Sequence, residues 1–385
     1  MTDASHMNDV ATALLDDRNA RLGYNRPMLT PIDPPTSVRD SSPVADDLRW
    51  RRLRRGFLWS AIGGLALYVA LAAWGDVSQL RAVLTAFPWR WMPLVLALTL
   101  VNYGGRLLKW VLYLRWLKVP IGKGDAARIF GMGMTMVLTP GKAGELLKSV
   151  LVKRVSGTPV MVTAPAVMAE RLTDGLAMLL LAAAGLFFFP EPAMRRTALI
   201  VLAVVLAGIF IAGRRALALR LIGLAEGLPL VGRFARHLHA FYESAQTLLS
   251  GRPLVIAVGI GLVSWACEGL AYFVVLRGVG APNDARTALA AVFIFSISTV
   301  VGAVVATPGG LGGTEGALVT LAMRVLHLGL APAKAAALLA RLATLWFGVA
   351  LGLLCVLRWG WMLEAGQRVS GAPAVGDDPA RDPTV

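Results

Sequence analysis

Cysteine is nearly absent from this chain of 385 residues: there are two, Cys267 and Cys355, each inside an apolar run. Such a pair gives neither a disulfide frame nor a metal site. Histidine is almost as scarce. His6, His237, His239 and His327 are scattered, and the two close ones are split across a helix by their spacing. Charged residues are only 16% of the chain, too few to cover a globule of this size in water. No Walker loop, nucleophile elbow or HExxH run occurs. Nothing here forms a recognisable catalytic constellation, so the reading expects no enzyme, no cofactor and no metal.

Hydrophobic residues, by contrast, make up 56% of the chain. The formal charge of +15 does not point to nucleic acid, because the basic residues stand at the ends of apolar runs, as in Arg49-Trp50-Arg51-Arg52-Leu53-Arg54-Arg55. That distribution fits membrane orientation and contact with lipid headgroups, anionic ones included. Six apolar stretches are long enough to cross about 30 Å of hydrocarbon: 57–74, 92–114, 160–189, 197–213, 253–276 and 332–357. Residues 1–48 and 366–385 are polar and without apolar period, and read as disordered cytoplasmic tails. Residues 214–252 are basic and amphipathic, with Phe234, Leu238, Phe241, Ala245 and Leu248 at helical spacing, and read as a connector at the cytoplasmic interface. They separate a first membrane half, 49–213, from a second, 253–365.

Each half contains an apolar segment interrupted near its centre, 126–155 in the first and 286–328 in the second. Each is either a re-entrant helical hairpin or a pair of short spans. The interruptions resemble one another. Thr139-Pro140-Gly141-Lys142-Ala143-Gly144-Glu145 is followed 26 residues after its glutamate by Arg171, and Thr307-Pro308-Gly309-Gly310-Leu311-Gly312-Gly313-Thr314-Glu315 is followed at the same spacing by Arg341. Leu114-Arg115 and Leu276-Arg277 end corresponding spans. Three crossings separate the copies, so the second is inverted: an all-α polytopic membrane protein of six full spans plus two broken hairpins arranged as an inverted repeat. Basic loops at 115–128 and 214–252 put both termini in the cytoplasm. Trp89, Trp91, Trp359 and Trp361 flank spans as interface anchors.

Ionisable residues at membrane depth are costly and seldom idle. Thr139 before Pro140 is a good helix start, and a half-helix beginning there turns free N–H groups toward an anion, with Lys142 in its first turn. The glycines at Gly309 and Gly310 suggest unwound backbone close to a ligand or a helix. Glu145 and Glu315 need cationic partners, for which Arg171 and Arg341 are the natural candidates. Asp174 lies one turn beyond Arg171, beside Glu170. The candidate substrate-binding residues are therefore Thr139, Gly141, Lys142, Glu145, Arg171, Asp174, Thr307, Gly309, Gly310, Glu315 and Arg341. Spacing alone does not decide whether Glu170, Arg106 and Glu268 join them, nor whether the ion pairs meet a substrate or only pin helices together.

The same residues, 139–145, Glu170-Arg171-Leu172-Thr173-Asp174, and 307–315 with Arg341, resemble the lysylphosphatidylglycerol synthase transmembrane-region family. The resemblance covers roughly residues 57–360. It implies a multi-pass protein of the bacterial inner membrane that moves a phospholipid or lipid-linked molecule between leaflets. The polar stretch after residue 360 leaves no room for a synthase domain, so lysyl-lipid synthesis is not expected. A non-transporting lipid-binding or scaffold protein is the alternative, and a lipid-modifying transferase a weaker one. Either a monomer or a small homo-oligomer fits.

Overall fold

The structure, a computed structural model, describes residues 77–139, 144–186 and 243–359 and four isolated positions besides. The chain divides into two contact units, Met1–Arg49 and Trp50–Val385, and everything described belongs to the second. The polar tails, the expected spans at 57–74 and 197–213, and most of the connector lie outside the described residues.

Among the described residues there is no strand. Helix α1 (Val77–Ala86) leads through a tight turn at Trp89–Trp91 into α2 (Met92–Trp116), whose first turn carries Pro93, where a missing N–H costs nothing. Helix α3 (Lys123–Gly133) tightens to 3-10 geometry over Met134–Leu138. Helix α4 (Leu147–Ser156) stops at Gly157 in the left-handed conformation that glycine adopts without strain. Helix α5 (Val160–Leu186) follows. In the second half come α6 (Gly251–Gly278) and α7 (Ala285–Val305), the latter capped by the Asp284 carboxylate on the Thr287 N–H at 2.7 Å. Beyond a break lie α8 (Gly313–Leu326) and α9 (Leu330–Arg341), then a single π turn at Leu342–Trp346 that continues into α10 (Phe347–Trp359).

Four stretches are long and apolar enough to cross a membrane: Trp89–Trp116, Gly251–Gly278, Ala285–Val305 and Leu330–Trp359. Three coincide with expected spans. The fourth, α7, is the first limb of the segment 286–328, whose break falls between Val305 and Gly313, near its centre as expected, and this limb alone is long enough to cross. Helix α5 covers the expected span at 160–189, but Glu170, Arg171 and Asp174 stand together near its middle.

The outer faces are apolar. Val255, Val263, Val304, Leu354 and Leu357 are each more than 60% exposed, while Thr99, Asn102, Lys109, Glu170 and Thr173 are fully enclosed. Apolar outside and polar inside is the pattern of a bundle solvated by lipid. One apolar cluster joins α2, α3, α4 and α5 around Trp110, Tyr113 and Ile129; another joins α5, α6, α7 and α9 around Tyr272, Phe293 and Ala336.

Helices α2 and α6 pack antiparallel along their length. Arg277 at the end of α6 lies over the ring of Trp91 at the start of α2, 4.8 Å from its centroid. Gly105 near the centre of α2 meets Ser264, and further along Gly261 approaches Lys109. The two broken segments also meet, through Leu138 and Leu311 in one small cluster with Leu345 and Val349.

Candidate functional site

Helix α2 carries a polar stripe at helical spacing: Thr99, Asn102, Tyr103, Arg106, Lys109 and Tyr113. Against it α5 presents Glu170, Thr173 and Asp174. Glu170, fully buried, is the hub. Its Oε1 accepts from Arg106 Nη2 at 3.0 Å and from Arg171 Nη2 at 2.9 Å, and its Oε2 from Lys148 Nζ at 2.6 Å. Arg171 also reaches Glu145 Oε2 at 2.9 Å. Lys109, fully enclosed, donates to Asp174, whose second oxygen stands 3.7 Å from Arg106 Nε. The Tyr113 hydroxyl meets Thr173 Oγ1 at 2.9 Å and closes the inner end of the network. Lys148 lies 4.8 Å from the centroid of the Trp110 ring, so its ammonium is held by an aromatic face as well as a carboxylate. Three carboxylates thus meet four cations in a mostly buried network, where a lone ion of either sign would cost several kcal/mol.

The second half is built differently. Arg341 Nε meets Glu315 Oε1 at 2.7 Å, and Arg341 Nη2 donates to the carbonyl of Gly309. Glu315 Oε2 accepts the Gly312 N–H at 2.8 Å, so the protein's own carboxylate occupies the N-terminus of α8. Gly309, Gly310 and Gly312 have φ of 63°, 70° and 83°, a region that side chains avoid. Arg341 therefore staples an unwound segment to its own helix, the π turn following at once. The carbonyl of Thr344 in that turn accepts the Tyr103 hydroxyl.

A cavity of about 470 Å³ opens between the halves. Arg106, Glu145, Lys148, Arg171 and Asp174 line one wall; Tyr103, Trp265 and Glu268 line the α2–α6 side, and Thr307, Gly309, Gly310, Thr314 and Arg341 contribute from the second break. Both expected ion pairs, Glu145 with Arg171 and Glu315 with Arg341, form. Glu170 and Glu315 sit behind the lining and hold its cations. Thr139 does not line the cavity, and Gly141 and Lys142 lie outside the described residues. The Thr139 hydroxyl does accept a backbone N–H, that of Gly144 at 2.8 Å; residues 144–146 have 3-10 geometry and α4 begins at Leu147, while the expected start at Pro140 lies outside the described residues. Asp174, expected beside Arg171, answers Lys109 and Arg106 instead.

Lys109, Lys148, Tyr103 and Trp265 were not among the expected residues. Lys109 was findable: a lysine one turn from Arg106, inside an apolar span, demands a buried acid. Lys148 lies one turn after Glu145 and had the same signal. Tyr103 and Trp265 carry none, since aromatics in such spans are ordinary. Among the described residues no three His, Cys, Asp or Glu side chains gather to hold a metal ion.

The chain matches the lysylphosphatidylglycerol synthase transmembrane region over residues 56–352. The chain belongs to this family. Comparison with curated proteins found no match. The match spans α1 to most of α10, so the charged wall, the cavity and both breaks fall within the family region.

Proposed function

We propose that this protein moves a phospholipid or lipid-linked molecule between the leaflets of a bacterial inner membrane without altering it chemically. The observation that carries the reading is a cavity lined by both kinds of surface. Ion-paired side chains and apolar residues such as Val137, Met178, Leu179, Val300 and Leu345 line it together, inside a bundle with lipid-compatible outer faces. A headgroup would sit on the charged residues while its chains stay on the apolar ones. Glu145, Arg171 and Asp174, with Arg106, would meet the headgroup, and Thr307, Gly309 and Gly310 would border it. Lys142 and Gly141 belong to the same proposal on sequence grounds.

The inverted repeat of six spans and two broken hairpins is part of this reading. Its support is the antiparallel packing of α2 against α6, the spans that would be counterparts, and the meeting of the two breaks at the cavity. Both termini would be cytoplasmic. No nucleotide motif occurs, so transport would run downhill or be driven by an ion or the membrane potential. Catalysis is not proposed: Glu145, Glu170, Asp174 and Glu315 are each engaged by a cation. One observation favours the second reading, a lipid-binding protein that does not transport. Arg341 is consumed by Glu315 and Gly309, the geometry of a structural staple.

Leaflet exchange in vesicles separates these readings. Purified protein in liposomes of bacterial lipid should accelerate exchange of a labelled phospholipid above protein-free vesicles, with the lipid's mass unchanged. Lipid binding with background exchange would favour the second reading, and a changed mass would revive a transferase.

A further inference from the structure

Resting on that reading of the cavity, we propose that it selects a net-neutral headgroup, one phosphate joined to one primary ammonium, over headgroups of net charge. Around the cavity, among the described residues, five cations (Arg106, Lys109, Lys148, Arg171, Arg341) stand with five carboxylates (Glu145, Glu170, Asp174, Glu268, Glu315). Among these residues the two signs are equal in number and interleaved, so a zwitterion brings two charges that each find a counter-charge, whereas a headgroup with one charge uses only half of them.

The polar atoms left over are of both kinds. The Trp265 indole N–H and the Arg171 Nε–H have no acceptor, and Asp174 Oδ2 and Glu145 Oε2 receive no aligned donor. All four side chains line the cavity, and Trp265, Glu145 and Asp174 are more than nine-tenths buried. Two free donors, one on a guanidinium, suit the oxygens of a phosphodiester. Two under-used carboxylate oxygens suit an ammonium that brings three N–H donors. The carboxylate oxygens stand beside cations without an aligned hydrogen bond from them: Asp174 Oδ2 is 3.7 Å from Arg106 Nε, and Glu145 Oε2 is 2.9 Å from Arg171 Nη2 and 3.9 Å from Lys148 Nζ. A trimethylated ammonium has no N–H to give these oxygens, and a glycerol headgroup leaves the phosphate charge unbalanced. The apolar residues that share the lining, Val137, Met178, Val300 and Leu345 among them, take the acyl chains, which makes the ligand a lipid and not a free solute.

The test uses the full-length protein in liposomes and acyl-chain-labelled lipids with intact headgroups: phosphatidylethanolamine, its N-acetylated form, phosphatidylcholine and phosphatidylglycerol. Exchange of phosphatidylethanolamine should exceed that of the other three at least tenfold, and Trp265→Phe, which keeps the ring and removes the donor, should erase most of that preference. Comparable or faster exchange of phosphatidylglycerol would overturn the proposal while leaving translocation intact. Background exchange of all four lipids would remove the proposal together with the function it rests on. Thermal stabilisation by free phosphoethanolamine equal to that by the lipid would assign the cavity to a soluble solute and overturn the proposal too.

Discussion

Lys109 is the residue whose environment is most demanding, a fully buried ammonium whose carboxylate partner, Asp174, is itself only 2% exposed. Removing one member of such a pair leaves the other uncompensated, at a cost of about 3–5 kcal/mol, while removing both is often nearly neutral. Lys109→Met should therefore destabilise the protein by that amount in detergent unfolding, and Lys109→Met/Asp174→Leu should recover most of the loss. Additive losses in the double variant would show that the two side chains are not a pair. At this scale the sequence was informative wherever a charge had a duplicate: the equal spacing of Glu145 to Arg171 and of Glu315 to Arg341 predicted both ion pairs that form. The duplication was silent on Lys109, which has no copy: its place inside an apolar span called for a buried acid, but which acid is settled only by the packing of α5. The unequal use of the two pairs was equally hidden. One belongs to an open network lining a cavity, and the other holds a glycine-rich turn.

The elements around the second break are set by close approach of α7 and α8. A Cβ on Gly302 would overlap the hydroxyl of Thr314, so the two helices meet there with no room for a methyl group. Gly302→Ala should cost about 1–3 kcal/mol through overpacking, and Thr314→Ala in the same chain should return part of it, as read by thermal unfolding. Equal stability of Gly302→Ala and wild type would contradict this packing. At the other end of α7 the Thr287 N–H holds the Asp284 carboxylate below its ordinary value. The cap therefore contributes fully above the ordinary carboxylate range and is lost as pH falls through the depressed value. The stability difference between wild type and Asp284→Ala should be constant near neutral pH and shrink in acid; a difference that does not change with pH would remove the cap from the account. Helix positions were largely legible, because apolar runs of span length leave few choices. The break after α7 was legible because the Thr-Pro-Gly run stops a helix; that this limb alone is long enough to cross was not, since the signal marks where a helix stops and not how far it has run.

For the whole molecule, membership of the family and the helical membrane architecture were readable from composition and the duplicated motif, since both rest on burial of backbone and charge in lipid. What required three dimensions was the gathering of α2, α5, α6 and the two breaks around one cavity, and the balance of charge within it. The central claim is that the charged wall of this cavity carries a lipid headgroup across the membrane. It is tested most directly by Glu145→Gln/Arg171→Gln, which removes one opposite pair while leaving the net charge unchanged, compared with wild type in vesicles at matched thermal stability. The account predicts that lipid exchange between leaflets falls to the rate of protein-free vesicles; exchange at the wild-type rate by the folded double variant would contradict it.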